Sequence, residues 1–437
     1  MTEKIVGEIN ISASFLSITQ KIKNVPVFKE EIEKNLEKSV SELLDIILGG
    51  AINLDASDIH IEPTEKEVKI RLRLDGILQD IVSFEKKTYE SVVSRIKLLS
   101  GIKLNIDDRP QDGRFTISLG KSDSKKGPPI EVRVSTLPTE FGESIVLRIL
   151  NPKSLISIAE LGFRPDMLEL FKKEIKKPNG MIIVTGPTGS GKTTTLYAFL
   201  KEIQSPEVKI ITIEDPIEYH LAGISQTQVN PSKGYDFANG LRAIVRQDPD
   251  VILVGEIRDL ETASIALQAA LTGHLVLSTL HTNDAAGTIA RLQSLGEKPI
   301  NIAPAINMII AQRLLRKVCK SCSKTVSPEP KILAQLKKDL KDIPPKIYIS
   351  SLDEGLKIPK AVGCKDCNFT GYRGRTGIYE ALSVDDEMEN FILDAPSISA
   401  LKERAIKKGM LPMKQDGLLR VLQGMTTLEE VEKVAGQ

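Results

Sequence analysis

MIIVTGPTGSGKTTTLYAFLKEI, residues 181–203, decides how this chain folds. Met181 to Thr185 carry no charge and read as a strand buried on both faces, while the segment from Thr193 to Ile203 has helical composition. Between them Gly186-Pro187-Thr188-Gly189-Ser190-Gly191-Lys192-Thr193 satisfies G-x-x-x-x-G-K-[ST]. Glycines at 186, 189 and 191 let backbone N–H groups turn into a phosphate-sized nest, and the helix that follows adds positive potential at its N-terminus. Lys192 would reach the β- and γ-phosphates of a nucleotide, and Thr193 would offer its hydroxyl to Mg²⁺, with Thr194 behind it. A chance Gly-rich turn is the competing reading, and the strand before and helix after the motif argue against it.

Working outward, VKIITIE (208–214), DVILVGE (250–256) and HLVLSTL (274–280) are further apolar strands alternating with helical segments, which predicts a doubly wound α/β sheet. Ligands bind such sheets at the C-terminal ends of the strands. Glu256 stands at one such end and is the candidate to orient an attacking water. Gly255 occupies the place where a Walker B strand carries its metal-binding Asp. Glu214, Asp215 and Glu218 cluster at another end, as a site for Mg²⁺ and water or as a solvated turn. His281 lies at the same edge and could bond a phosphate oxygen, whereas His274, at the opposite edge, could equally be a structural cap.

Before this core, SVSELLDIILGGAINLD (39–55) predicts a helix capped by Ser39 or Ser41 and interrupted at Gly49–Gly50. Alternating segments at 59–63, 66–76, 77–82, 114–119 and 130–137 predict antiparallel strands, with Asp75–Gly76 as a turn and the lysine-rich SDSKKGPP (122–129) as a solvated loop. The chain divides on this reading into a short N-terminal adaptor (1–35), an α+β domain (36–150), a linker (151–160), an ATPase core (161–316), a cysteine module (317–372) and a helical tail (373–437). The 437 residues hold 59 Lys+Arg against 58 Asp+Glu, no Trp and 4% aromatics, which argues against a nucleic-acid motor and its stacking platform. No signal peptide and no apolar run of membrane-spanning length is present, so a cytoplasmic location is expected. The four cysteines form two C-x-x-C pairs, Cys319/Cys322 and Cys364/Cys367, the pattern of a tetrahedral zinc site rather than of disulfides; four reduced thiols are the alternative.

Taken together, DASDIHIEP (55–63), QDGRF (111–115), RVSTLPTEFGESIVLRIL (133–150), GPTGSGKTTT (186–195), ITIEDPIEY (211–219), the strand ending in Glu256, LTGHLVLSTLHTNDA (271–285) and GYRGRTGIYE (371–380) resemble the secretion and pilus motor ATPases of the type II/type IV superfamily. The resemblance implies an α/β RecA-like P-loop core preceded by a PAS-like α+β domain, and a homohexameric ring with ATP and Mg²⁺ between the two. By motif match, Arg114, Arg133 and Arg148 of the N-terminal domain would complete the nucleotide site, beside Lys192, Glu256, Glu214 and His281. Segments 211–219 and 271–285 correspond to the family's Asp and His boxes, and Arg242 and Arg246 match a further family segment of phosphate or interface contacts. The tetracysteine module, a structural Zn²⁺ site, resembles that of the type II secretion and pilus-assembly branches and not the retraction branch. The expected role is a hexameric traffic ATPase driving pseudopilus assembly and protein export in type II secretion, the alternatives being pilus extension or an ATP-gated scaffold. Implied partners are an inner-membrane platform protein and the cytoplasmic domain of a membrane-anchored docking protein, at the cytoplasmic face of the inner membrane. The short segment before residue 36 leads us to expect a reduced docking domain, and no nucleic-acid partner is expected.

Overall fold

A computed structural model describes residues 7–11, 17–119, 129–345, 347, 349 and 351–436. Contacts divide the chain into two units: Met1–Ser154 with Cys319–Ser323 and Ala361–Arg373, and Leu155–Val318 with Lys324–Lys360 and Gly374–Gln437.

The first unit is built on a seven-stranded sheet of β1 (Glu8–Ile11), β2 (Asp58–Pro63), β3 (Val68–Leu74), β4 (Ile77–Phe84), β5 (Gln111–Leu119), β6 (Ile130–Thr139) and β7 (Gly142–Leu150). Their order is β1-β5-β6-β7-β2-β3-β4, with β1 parallel to β5 and the other pairings antiparallel. Asp75 and Gly76, with φ of 48° and 85°, make the tight β3–β4 turn expected of that dipeptide. Helix Val40–Asn53 starts at Ser39, whose Oγ accepts the Glu42 N–H at 3.4 Å, and buries Leu43, Leu44, Ile46 and Ile47.

Two expectations change here. Gly49 and Gly50 do not interrupt that helix. A Cβ on Gly50 would stand 2.2 Å from Phe28 Cε2, and one on Gly49 2.6 Å from Thr19 Cγ2, so the bare backbone is where other segments pack. Nor do the described residues before 36 form a separate adaptor: β1 extends the sheet with Ile11 fully buried, and helix Val25–Glu33 sinks Phe28 and Ile32 into the same core. That helix is capped from both ends of the sequence, because Asn24 Oδ1 accepts the Val27 N–H (3.0 Å) and Asn368 Oδ1 accepts the Val25 N–H (2.7 Å). The loop expected at 122–129 falls, but for its last residue, outside the described residues.

The second unit carries the α/β sheet: β8 (Gly180–Thr185), β9 (Ile210–Glu214), β10 (Ser225–Gln228), β11 (Val251–Val254), β12 (Leu275–Leu280), β13 (Ile306–Val318) and, beyond the short pair β14 (Lys324–Val326) and β15 (Ile358–Lys360), β16 (Tyr372–Ser383). The order is β10-β9-β11-β12-β8-β13-β16, with β10 through β13 parallel. Strands β8, β9, β11 and β12 are buried throughout, as their apolar sequences, with Glu214 at the end of β9 the one charged residue, require. Strand β13, unassigned in the sequence reading, inserts between β8 and β16. Four helices, Asp386–Leu393, Ile398–Lys407, Met413–Leu422 and Leu428–Ala435, make up the tail after β16, so residues 373–383 of the expected helical tail are instead strand in the sheet. A buried carboxylate ties that tail inward: Asp416, with no exposed surface, accepts from Arg164 Nη1 (2.7 Å) and from the Tyr379 N–H (2.8 Å). Among the described residues no helix is long and apolar enough to cross a membrane.

Candidate functional site

Strand β8 delivers the Gly186–Thr193 loop to the C-terminal edge of the sheet, and helix Lys192–Ile203 leaves from it. Gly186, Gly189 and Gly191 have φ of 148°, 80° and 88°, a region that side-chain-bearing residues avoid. Pro187, Thr188 and Gly189 form an exposed crest, and Thr193 is exposed, while Ser190 is 4% exposed with a buried Oγ that finds no partner. Lys192 Nζ folds over the loop, donating to the carbonyls of Gly186 (2.8 Å) and Pro187 (3.2 Å). Burial holds its ammonium below the ordinary lysine range; Glu256 opposes that shift and Arg313 adds to it. An exposed glycine-rich crest, an unsatisfied hydroxyl and a lysine resting on carbonyls suit a phosphate chain.

Glu256, at the end of β11, faces this loop. Its Oε1 accepts from Arg258 Nη2, and its Oε2 lies 3.7 Å from His281 Nε2. Burial, then Lys192, keeps His281 below the ordinary histidine range, so the ring is neutral at pH 7. Gly255 leaves little room for a larger residue: a Cβ there would be 3.3 Å from both Glu214 Cα and Ile213 O. Thr185, the last residue of β8, accepts the Thr282 N–H at 2.8 Å and donates to the Leu280 carbonyl at 3.0 Å, locking the His281 segment to the loop's root.

Glu214 is placed differently from its expected role beside Glu256. It is 4% exposed, with Oε1 accepting from Thr212 Oγ1 (2.6 Å) and Gln226 Nε2 (3.2 Å) and Oε2 from the Tyr197 hydroxyl. Burial pushes its carboxyl up, with these bonds opposing. Both oxygens are therefore spent bracing β9, β10 and the loop's helix. His274 takes the structural alternative: its N–H and its Nδ1 both approach the Ala269 carbonyl, at 3.2 and 3.0 Å, closing helix Leu260–Leu271. Arg242 bonds Asn239 (3.3 Å) and Glu261, and Arg246 caps its helix.

The three arginines of the first unit share one row of its sheet. Arg114 stands opposite Arg133, Arg133 opposite Arg148, Arg148 opposite Asp58, and Asp58 opposite Arg73. Asp58, 4% exposed, anchors the row by accepting from Arg148 Nε (3.0 Å) and pairing with Arg73 Nε (3.2 Å). Like charges facing each other across strands are unfavourable, so such a row is suited to an anion. Arg73 and Arg258 were not singled out by sequence: Arg73 meets Asp58 only through the β2–β3 pairing, and the E-x-R spacing of Glu256 and Arg258 is too common to stand out.

The four cysteine sulfurs all lie within 4.8 Å of one another. Cys319 and Cys364 are 3.9 Å apart, and Cys322–Cys367 and Cys364–Cys367 are both 3.8 Å apart. Zn–S bonds of ~2.3 Å place tetrahedral ligands about 3.8 Å apart, so the cluster has the size of a zinc site. Backbone N–H groups of Gly363, Cys364 and Gly371 point at Cys322 and Cys367 Sγ, at 3.4, 3.1 and 3.3 Å, as thiolates require.

Residues 33–433 match the family described as "Type II/IV secretion system protein". The chain is 45% identical over 407 residues to the type IV pilus assembly ATPase PilB of Thermus thermophilus, an alignment covering 92% of this chain and 44% of that relative. It is 43% identical over 426 residues to the type II secretion system ATPase E of Vibrio cholerae, covering 97% and 80%. The chain thus spans less than half of the first relative and most of the second. Among solved structures it is similar to the pilus retraction motor PilT with bound ADP, at TM-score 0.55 and 28% identity over 89% of this chain and 95% of that one. It also shares the fold of the Legionella pneumophila ATPase DotB, at TM-score 0.63 and 24% identity over 89% and 94%.

Proposed function

The chain belongs to the type II/IV secretion system protein family, and from that premise we propose that it is an ATP hydrolase working as a hexameric traffic motor in type II secretion. The observation that carries this reading is the convergence of Lys192, Glu256 and His281 on an open glycine loop at one sheet edge. Lys192 would exchange its carbonyl contacts for β- and γ-phosphate oxygens, and loop N–H groups would hold the phosphate chain. Glu256 orients the water for in-line attack and Arg258 fixes that carboxylate. A neutral His281 can donate one ring N–H toward a phosphate oxygen. Thr193 would hold Mg²⁺, which supplies charge neutralisation between the phosphates. Glu214 acts at one remove, by fixing the helix that carries Lys192. By motif match, Arg114, Arg133 and Arg148 would be the further cations a charge-spreading transition state needs.

The cysteine cluster would hold structural Zn²⁺, since four thiolates leave no open coordination position. The function served is pseudopilus assembly and protein export at the cytoplasmic face of the inner membrane, through a platform protein. Type IV pilus extension is the second reading, favoured by the 45% identity to a pilus assembly ATPase. Steady-state phosphate release tests the hydrolase: wild-type turnover that falls about 100-fold or more in Glu256→Gln supports it. Equal traces for the two proteins would overturn it.

A further inference from the structure

Strand β13 contributes more to the phosphate loop than backbone pairing with β8. Gln312 is 1% exposed; its Nε2 donates to the Ser190 carbonyl (2.8 Å) and its Oε1 accepts from Thr195 Oγ1 (2.7 Å). One buried amide thus holds the crest of the loop to the first turn of its helix. Removing it would leave a buried carbonyl and a buried hydroxyl without partners.

Its neighbour Arg313 reaches across the root of the same loop. Nη1 donates to the Gln312 carbonyl (3.0 Å) and Nη2 to the Asn283 carbonyl (2.8 Å). A Cβ on Gly186 would come within 2.5 Å of the Gln312 carbonyl and 3.2 Å of Nη1, so the guanidinium lies against the loop's first residue. Asn283 is two residues beyond His281, which meets Glu256. Glu380 and Asp284 act on Arg313 through space and favour its charge, while burial opposes it. Two half-buried cations, Lys192 and Arg313, therefore face one loop, and an anion seated there relieves the repulsion between them.

We propose that Arg313 is a positioning residue with two separable jobs: its charge strengthens nucleotide binding at the loop, and its fork holds the His281 segment in register with Gly186. The planar guanidinium is what the second job needs, because it grips the carbonyls of residues 283 and 312 with two nitrogens at once. A lysine supplies the same charge from a single nitrogen. The second job rests on the ATPase reading above, whereas the first rests only on the loop binding phosphate.

The test uses the full chain as wild type, Arg313→Lys and Arg313→Ala, each with a thermal melt, a fluorescent-ADP titration and steady-state phosphate release. Arg313→Ala is expected to weaken ADP on the order of tenfold and to lower kcat as well. Arg313→Lys is expected to keep ADP affinity within about twofold of wild type while kcat falls roughly tenfold, a split that a simply structural residue would not produce. The proposal is overturned if Lys restores kcat along with affinity, if Ala changes neither, or if Lys and Ala lose both equally with a lowered melt. Should Ala fail to fold, the affinity and kcat of Arg313→Lys decide alone. If wild type binds ADP but releases no phosphate, the ATPase reading fails, and the ADP affinities still judge the charge.

Discussion

Replacing Asp416 by Asn removes one negative charge from a place with no exposed surface and little else. If the amide keeps its one oxygen for the Tyr379 N–H, now bonded at 2.8 Å, its NH₂ stands against Arg164 Nη1, now at 2.7 Å. The Arg164 side chain is only 7% exposed, so its charge cannot turn to water. Breaking a buried ion pair by deleting one partner costs ~3–5 kcal/mol. Arg164 keeps a second carboxylate, Asp166, at 3.1 and 3.2 Å and 38% exposed, which brings the expected loss to the lower end, about 3 kcal/mol. For a domain of this size that lowers Tm by roughly 6–12 °C. Thermal melts of the wild type, both single variants and the pair Asp416→Asn/Arg164→Met measure it, and the double variant should recover part of the loss, since Arg164 is no longer stranded and only Arg420, 4.0 Å from Asp416, still loses its counter-charge. A single-variant loss below about 1 kcal/mol, or losses that add in the double variant, would refute the reasoning.

Two other outcomes follow from the site. Purified in reducing, chelator-free buffer, the chain should carry about one zinc per molecule. Cys322→Ser should lower that ratio, and a wild-type ratio well below one would contradict the site. For pH, His281 has its folded value pushed below 6.5, so its neutral form is favoured by folding. Its contribution to stability is present above pH 6.5 and is lost as pH falls below 6.5 through the lowered folded value. His281→Gln should flatten that acid-side slope in denaturant titrations, and an unchanged slope would assign it to other groups.

The parts legible in sequence were those written in local spacing. The phosphate loop needs four residues of defined type within eight consecutive positions, the cysteine pairs need two short motifs, and Glu256 needs one apolar strand before it. What escaped depends on segments distant in the chain. Gly49 and Gly50 read as breakers because the Phe28 and Thr19 side chains that fill their space are invisible in the helix's own sequence. Glu214 read as a site carboxylate because nothing nearby announces that Tyr197 and Gln226 will take its oxygens. Strand β13 hides in INMIIAQRLLRKV, whose apolar run fits helix and strand alike, and with it Gln312 and Arg313 stayed unread. A polar pair set inside such a run is the one signal that could have marked them.

The hydrogen bond from Val25 to Asn368 joins positions 343 residues apart, and Asn368 directly follows Cys367. Asn368 holds its left-handed shape, φ 51°, at the close of the turn that Cys364 and Cys367 shape. Any ion that orders those thiols therefore also presents the amide to helix Val25–Glu33, and the two events share a free energy. Such linkage runs both ways with equal size. Trimming the chain's beginning should loosen its grip on metal as much as stripping the metal frays its beginning, so a shortened N-terminus would announce itself first in a metal assay at cysteines far along the polypeptide.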